Sequence, residues 1–244
     1  MATFRLGPDK SMKALLLMDA MYYHAARQAY IAAKQTVRGI DKANAFIAKL
    51  VAKKQRILAK HRGDSDKAYD ELESVYIQMD DAQYDLGAAH GPLMEHAATV
   101  HILSAAALEA HVNAQADSLI GGGKVPNGRK LLEHFDRLPL DGKWLLLPRF
   151  LGKQGFDPGA QPFQGFAELV KLRNALVHYK LKKEDWKSLE LPDFIEDLGL
   201  NLASAESSLK AVKGMIESLA TQLGQETPDW LRVSSANFFD VEFE

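Results

Sequence analysis

Cysteine is absent from the 244 residues. That absence removes disulfides, thiolate nucleophiles and cysteine-ligated zinc, and it fits a chain kept in a reducing cytosol. Long hydrophobic runs are missing as well. The apolar stretch 14–18 ends at Asp19, too short for a signal-peptide core and far too short to span a bilayer. A soluble, cytoplasmic protein with no membrane partner is therefore expected. Neither sign of charge dominates: 30 Lys and Arg stand against 32 Asp and Glu, giving a net charge of −2 and a pI near 6.5. Nothing global drives such a chain onto nucleic acid or an anionic surface, so any basic footprint must be local. Hydrophobic residues at 47 % and charged residues at 25 % exclude wholesale disorder and allow one large domain or a core with an extension.

What is present is helical patterning. Residues 12–37 contain no proline or glycine, and Leu15, Met18, Tyr22, Ala25 and Ala29 recur at three- and four-residue steps, which predicts a first helix. Gly39 is expected to interrupt it, with Asp41 capping a second helix over 42–61. Gly63-Asp64-Ser65-Asp66 reads as a turn and cap for a helix over 67–86. Glycines 87 and 91 predict another break, with Pro92 in the first turn of a helix over 92–120. Short helices over 129–135 and 143–147 follow a glycine-rich loop, the second stopped by Pro148. A loop over 152–162 precedes a helix over 164–181, and a last helix over 202–223 ends at Gly224. Trp230, Phe238, Phe239 and Phe243 in the tail suggest docking onto the body or a partner. No alternating run is long enough to predict a sheet. The expected organisation is all-α: a long helical hairpin over 1–90, a helical core over 91–227 and an aromatic tail over 228–244.

Charge is divided between the two arms of that hairpin. Between Lys34 and Arg62 lie nine basic residues and one acid; between Asp64 and Asp85 lie eight acids and one base. An antiparallel hairpin sets a basic arm beside an acidic one, and charge matching on a solvated surface accounts for the pattern. A second reading has the basic arm also guide RNA, with Lys53, Lys54, Arg56, Lys60 and Arg62 as its footprint.

One segment carries chemistry. On the helix over 164–181 the apolar stripe runs through Phe166, Leu169, Val170, Leu176 and Val177, and Arg173 falls on its seam, where a leucine would be expected. A guanidinium there needs a partner, a crevice or a second subunit. Asn174 and His178 are four apart and share a face. Arg173 stands about 100° from Asn174 and about 140° from His178 on an ideal helix. Convergence of Arg173 and His178 therefore needs long side chains that bend together, a helix that distorts near His178, or residues from two subunits. A permanent cation, an amide and an imidazole titrating near neutrality come within six residues.

The arrangement Arg173-Asn174-three residues-His178, with Glu168 to Leu172 before it and Tyr179-Lys180 after it, resembles the motif of the HEPN superfamily. The resemblance is carried by six residues, and the helical stretch from about residue 92 to 224 is compatible with it. It implies a bundle of four or five helices, here with the long N-terminal hairpin as an extension, dimerised so that two motifs face each other across a groove. It implies either a metal-independent RNA endonuclease, with no cofactor, of the toxin–antitoxin, phage-defence or RNA-processing kind, or a binding module that has lost catalysis. In the first case Arg173 neutralises the scissile phosphate, His178 transfers a proton, and Asn174 holds the imidazole or a phosphate oxygen. The implied partners are a second copy, RNA and a protein antitoxin or regulator. Some family toxins have a tyrosine two places after the histidine that a partner modifies; here Tyr179 comes immediately after, which departs from that pattern. The alternative is that Arg173 to His178 form a structural hydrogen-bond cluster at a dimer interface.

Glu109 and Asn113, stacked at i, i+4 on the helix over 92–120, are placed to reach Arg173 or His178 from a facing helix. A buried Glu109–Arg173 pair is the structural version of the same contact. His90, His96, His101 and His111 are spaced by 6, 5 and 10 and do not line up on one face, so no metal site is expected. Gly121 to Lys124 lacks the spacer and following Ser or Thr of a phosphate-binding loop. Trp144 and Trp186 are expected as core or interface anchors.

Overall fold

The computed structural model describes residues 2–5, 11–122, 125–179, 197–232 and 238–243. The fold is all-α in its body. Helix α1 spans Met18–Lys60 and α2 spans Ser65–Ala116, the latter running into a π turn at Asp117–Gly121. Four further helices follow among the described residues: α3 (Gly128–Phe135), α4 (Leu140–Phe150), α5 (Phe163–Val177) and α6 (Leu202–Leu223). Trp186, Gly123 and Lys124 lie outside the described residues.

The antiparallel α1–α2 pair is the frame. Its seam on α2 runs Ala68, Leu72, Val75, Met79, Ala82, Leu86, Ala89 and Leu93, alternating four- and three-residue steps, and Ala33, Val37, Ile40, Leu50 and Ile57 answer from α1. That 3.5-residue period keeps one face of each helix on the other along the whole length. Asp64 caps α2 by accepting from the Lys67 amide, and Gly63 and Arg62 take the positive φ values the turn needs.

Of the three expected breaks, the turn at 63–66 is present and the other two are absent. Helix α1 runs straight through Gly39, and α2 runs through Gly87, Gly91 and Pro92, so the boundary at 90/91 falls inside a continuous 52-residue helix. An interior glycine costs about 1 kcal/mol and a proline about 3 relative to alanine. The seam residues on either side, Ile40 beside Gly39 and Leu93 beside Pro92, are buried and offset that loss. All three glycines and Pro92 face solvent, as does Ala88, whose carbonyl loses its helical donor to Pro92. Helix α4 likewise continues past Pro148 to Phe150.

The core forms where α2, α4, α5 and α6 meet the first turns of α1. Trp144 sits at its centre, fully enclosed, with Phe156 and Phe166 at ring distances of 5.8 and 6.0 Å. Tyr23 of α1 belongs to the same cluster, so the start of the hairpin is part of the body. The tail docks as expected: Trp230 meets Tyr23 edge-on at 5.7 Å, and Phe238 meets His24 at 5.5 Å.

A small antiparallel sheet, which the sequence pattern did not suggest, joins the two ends of the chain. Strands β1 (Ala2–Arg5), β2 (Ser11–Leu16) and β3 (Phe239–Phe243) pair in that order, with Leu16 opposite Phe239. Strands of four to six residues show little alternation, and of the two partners of β2 only β1 is near in sequence, β3 lying more than two hundred residues away. Among the described residues no helix is long and apolar enough to cross a membrane.

Two buried histidines tie the helices together. His101 of α2 is fully enclosed, with Nε2 at 2.8 Å from the Gly199 carbonyl and Nδ1 at 2.8 Å from the Ser208 hydroxyl. A carbonyl only accepts, so Nε2 carries the proton and Nδ1 accepts from Ser208. His111 donates from Nδ1 to Asp19 at 2.8 Å, linking α2 to the first turn of α1, and its ring stacks on Trp144.

Two outcomes follow from these elements. Alanine at Gly39, Gly87 or Gly91 meets nothing within 4 Å, so each change is expected to stabilise by roughly 0.5–1 kcal/mol. Thermal unfolding of the three single variants measures this. Burial lowers the pKa of His101 below its ordinary 6.5, the Gly199 carbonyl opposing in part. The unfolded chain then binds the proton more readily, so stability is full above about 6.5 and falls as pH drops below it, by at most about 1.4 kcal/mol per pH unit. Denaturant titrations between pH 7.5 and 5 are expected to lose that slope component in His101→Gln.

Candidate functional site

Helix α5 is anchored by its first half. Phe163, Phe166 and Leu169 are buried in the aromatic core, and Val170 packs against it. One turn later the burial stops: Arg173 is half-buried, Asn174 and His178 are exposed, and Val177 is 51 % exposed. The helix ends at Val177 rather than at residue 181. His178 is the capping residue, its amide donating to the Asn174 carbonyl at 2.9 Å. Valine, histidine and tyrosine are weak helix formers, and at residues 177–179 no core contact compensates. The backbone changes course at His178, yet within one chain His178 does not line the cleft that Arg173 and Asn174 share.

Arg173 donates from Nη1 to the Asn174 amide oxygen at 2.9 Å. Both residues line a cleft of about 360 Å³ with Val170, Glu109 of α2, and Leu140 and Asp141 at the start of α4. Glu109 is thus brought to the motif as expected. The expected Glu109–Arg173 ion pair is not formed: among the described residues no contact within 4 Å joins them. Arginine has five N–H donors, and the bond to Asn174 occupies one. Among the described residues the guanidinium therefore lines the cleft with neutral Asn174 as its one hydrogen-bond acceptor.

Asn113 goes elsewhere. It accepts from Lys143 Nζ at 2.9 Å, one turn along α2 from Glu109 and outside the motif cleft. Lys143 is only 4 % exposed and was not singled out from the sequence. The available signal is its place directly before Trp144-Leu145-Leu146-Leu147, which puts an ammonium on a core-facing helix. Tyr179 is exposed just beyond the helix end.

The basic residues of the hairpin are not part of this site within one chain. Lys53 and Arg56 are exposed, Lys54 lies 4.7 Å from the Tyr76 ring, and Lys60 pairs with Glu71 at 2.6 Å. His111 pairs with Asp19, so the Glu109 side of the cleft lies near the first turns of α1, and these side chains are about 45–55 Å away along the helix. Charge matching across the hairpin is realised at Lys60 and Glu71. Among the described residues no three metal-ligating side chains come together, and His101 and His111 are occupied by Ser208, Gly199 and Asp19.

No protein-family model, no curated protein and no solved structure matches this chain.

Proposed function

We propose that the chain is a metal-independent RNA endonuclease of the HEPN type, working as a homodimer, with Arg173 and His178 at the reacting phosphate. The observation that carries this reading is the state of Arg173: half-exposed and, among the described residues, hydrogen-bonded to neutral Asn174 and to no carboxylate, with an exposed His178 five residues on at the helix end. Such a guanidinium can take two phosphate oxygens with its remaining donors.

The chemistry needs little else, because RNA brings its own nucleophile. One His178 imidazole removes the ribose 2′-hydroxyl proton, O2′ attacks phosphorus, and the P–O5′ bond breaks. A second imidazole, from the partner subunit, protonates the departing O5′. The products are a 2′,3′-cyclic phosphate and a 5′-hydroxyl. Arg173 neutralises the charge that develops on the non-bridging oxygens, and Asn174 holds the guanidinium in place. A nuclease of this kind fits a toxin or defence effector that a protein antitoxin or regulator restrains.

A second reading is supported by Glu109 and Asp141. Two carboxylates lining the cleft beside Arg173 disfavour a phosphate entering from that side and suit a non-catalytic helical interaction module.

Incubation of a mixed RNA pool with the protein in EDTA separates the two. The nuclease reading expects cleavage with cyclic-phosphate ends by the wild type, reduced by about 10²- to 10⁴-fold in His178→Ala and in Arg173→Ala. No cleavage by folded wild-type protein supports the interaction module.

A further inference from the structure

We infer that the distal half of the α1–α2 hairpin is a self-association surface, in which the basic arm of one copy packs against the acidic arm of a second copy of this chain. The inference stands whether or not the motif cuts RNA.

Beyond Ile40 no other described element packs on the hairpin, which runs on as the two paired helices α1 and α2. Among the described residues only the seam of Leu50, Ile57, Ala68, Leu72, Val75 and Ala82 is buried there. Most charged residues of the arms lie off this seam and point outward. Lys42, Lys49, Lys53 and Arg56 are exposed on α1, around Phe46, itself 46 % exposed. Asp66, Asp70, Glu73 and Asp80 are exposed on α2, around Tyr69 and Tyr84, the latter 79 % exposed.

Within one hairpin these surfaces are little used. Lys60 reaches Glu71 and Lys54 reaches the Tyr76 ring; the Lys67–Asp64 bridge stays within the α2 cap. The outward faces of the two arms point away from each other and cannot neutralise one another in the same molecule. A second copy can do so, because each chain carries both halves of the contact.

Exposed charge alone is an ordinary solvated face. Here each arm also displays large apolar side chains at the centre of its charged face, and Ile77 adds a third to α2 at 57 % exposure. An apolar centre with a charged surround is the layout of a protein–protein contact. From Ile40 to Lys60 the arm is about 30 Å long, so two arms about 10 Å wide offer on the order of 600 Å² per copy. That lies at the low end for specific complexes and fits a reversible association that added salt weakens.

The test is the solution mass of nucleic-acid-free protein, by sedimentation or light scattering, over a concentration series at low and high salt. The wild type is expected to exceed the mass of its high-salt form at low salt. Two variants sharpen it: Glu73→Lys with Asp80→Lys on the acidic arm, and Lys49→Glu with Lys53→Glu on the basic arm. Each alone is expected to weaken association at least 10-fold at unchanged helicity, and an equimolar mixture to restore it, since the reversed arms complement each other. The milder Asp80→Asn and Lys49→Gln chains are expected to weaken it in the same direction if a double variant loses helicity. A mass indifferent to salt and to these substitutions overturns the inference. So does a mixture that fails to associate although both variants are folded. Association seen only after RNA is added to the nucleic-acid-free protein also overturns it, and assigns the basic arm to RNA.

Discussion

Between Ala33 and Ile57 the two long helices meet through a narrow seam in which alanines let the backbones approach and leucines and isoleucines fill the gaps. This contact is what the remainder of the molecule depends on. It carries α1 across Gly39 and α2 across Gly91 and Pro92, where local propensity alone would end a helix. A stiff α2 then presents Ala105, Leu108, Val112 and Ala116 as one wall of the core, against which α4, α5 and α6 pack. Cut at residue 90, α2 would lose the lever that fixes this wall relative to α1.

The same wall positions the motif. Phe163, Phe166 and Leu169 hold α5 against the Trp144 cluster, and the helix then projects its last turn clear of the core. Arg173 and Asn174 arrive at the mouth of a cleft whose other side is Glu109 and Asp141, while His178 sits where the helix stops. Rigid anchoring followed by exposure is the arrangement that suits a reactive group, since its backbone is fixed by packing while its side chain remains open to a ligand. The buried polar groups behave differently. Asp19, His101, His111 and Ser208 each find a partner inside and Asn113 receives the buried Lys143 ammonium, contacts that join helices, whereas Ser104 Oγ and Trp144 Nε1 are enclosed with no hydrogen-bond partner among the described residues.

Much of this was legible in the residues. The Asp64 cap, the Gly224 stop and the isolation of Arg173 on an apolar stripe are local features with local causes, and the aromatic density of the tail announces its docking without naming Tyr23 and His24 as the partners. What escaped is non-local. Gly39 and Pro92 are helix breakers by intrinsic preference, and only the seam overrides them. The sheet pairs residues from opposite ends of the chain. The end of α5 at Val177 reflects the loss of core contacts, which periodicity extends past. His101 and His111 are ordinary helix residues in the sequence, and their partners Gly199, Ser208 and Asp19 lie about 90 to 110 positions away.

The motif side chains are held out by the fold and do not hold it together. Urea unfolding of Arg173→Ala and His178→Ala, beside Trp144→Ala as a core control, tests this. The two motif variants are predicted to stay within about 0.5 kcal/mol of wild type, whereas Trp144→Ala falls by about 3–5 kcal/mol. A loss of several kcal/mol on removing Arg173 or His178 would contradict the claim and make the motif a structural cluster.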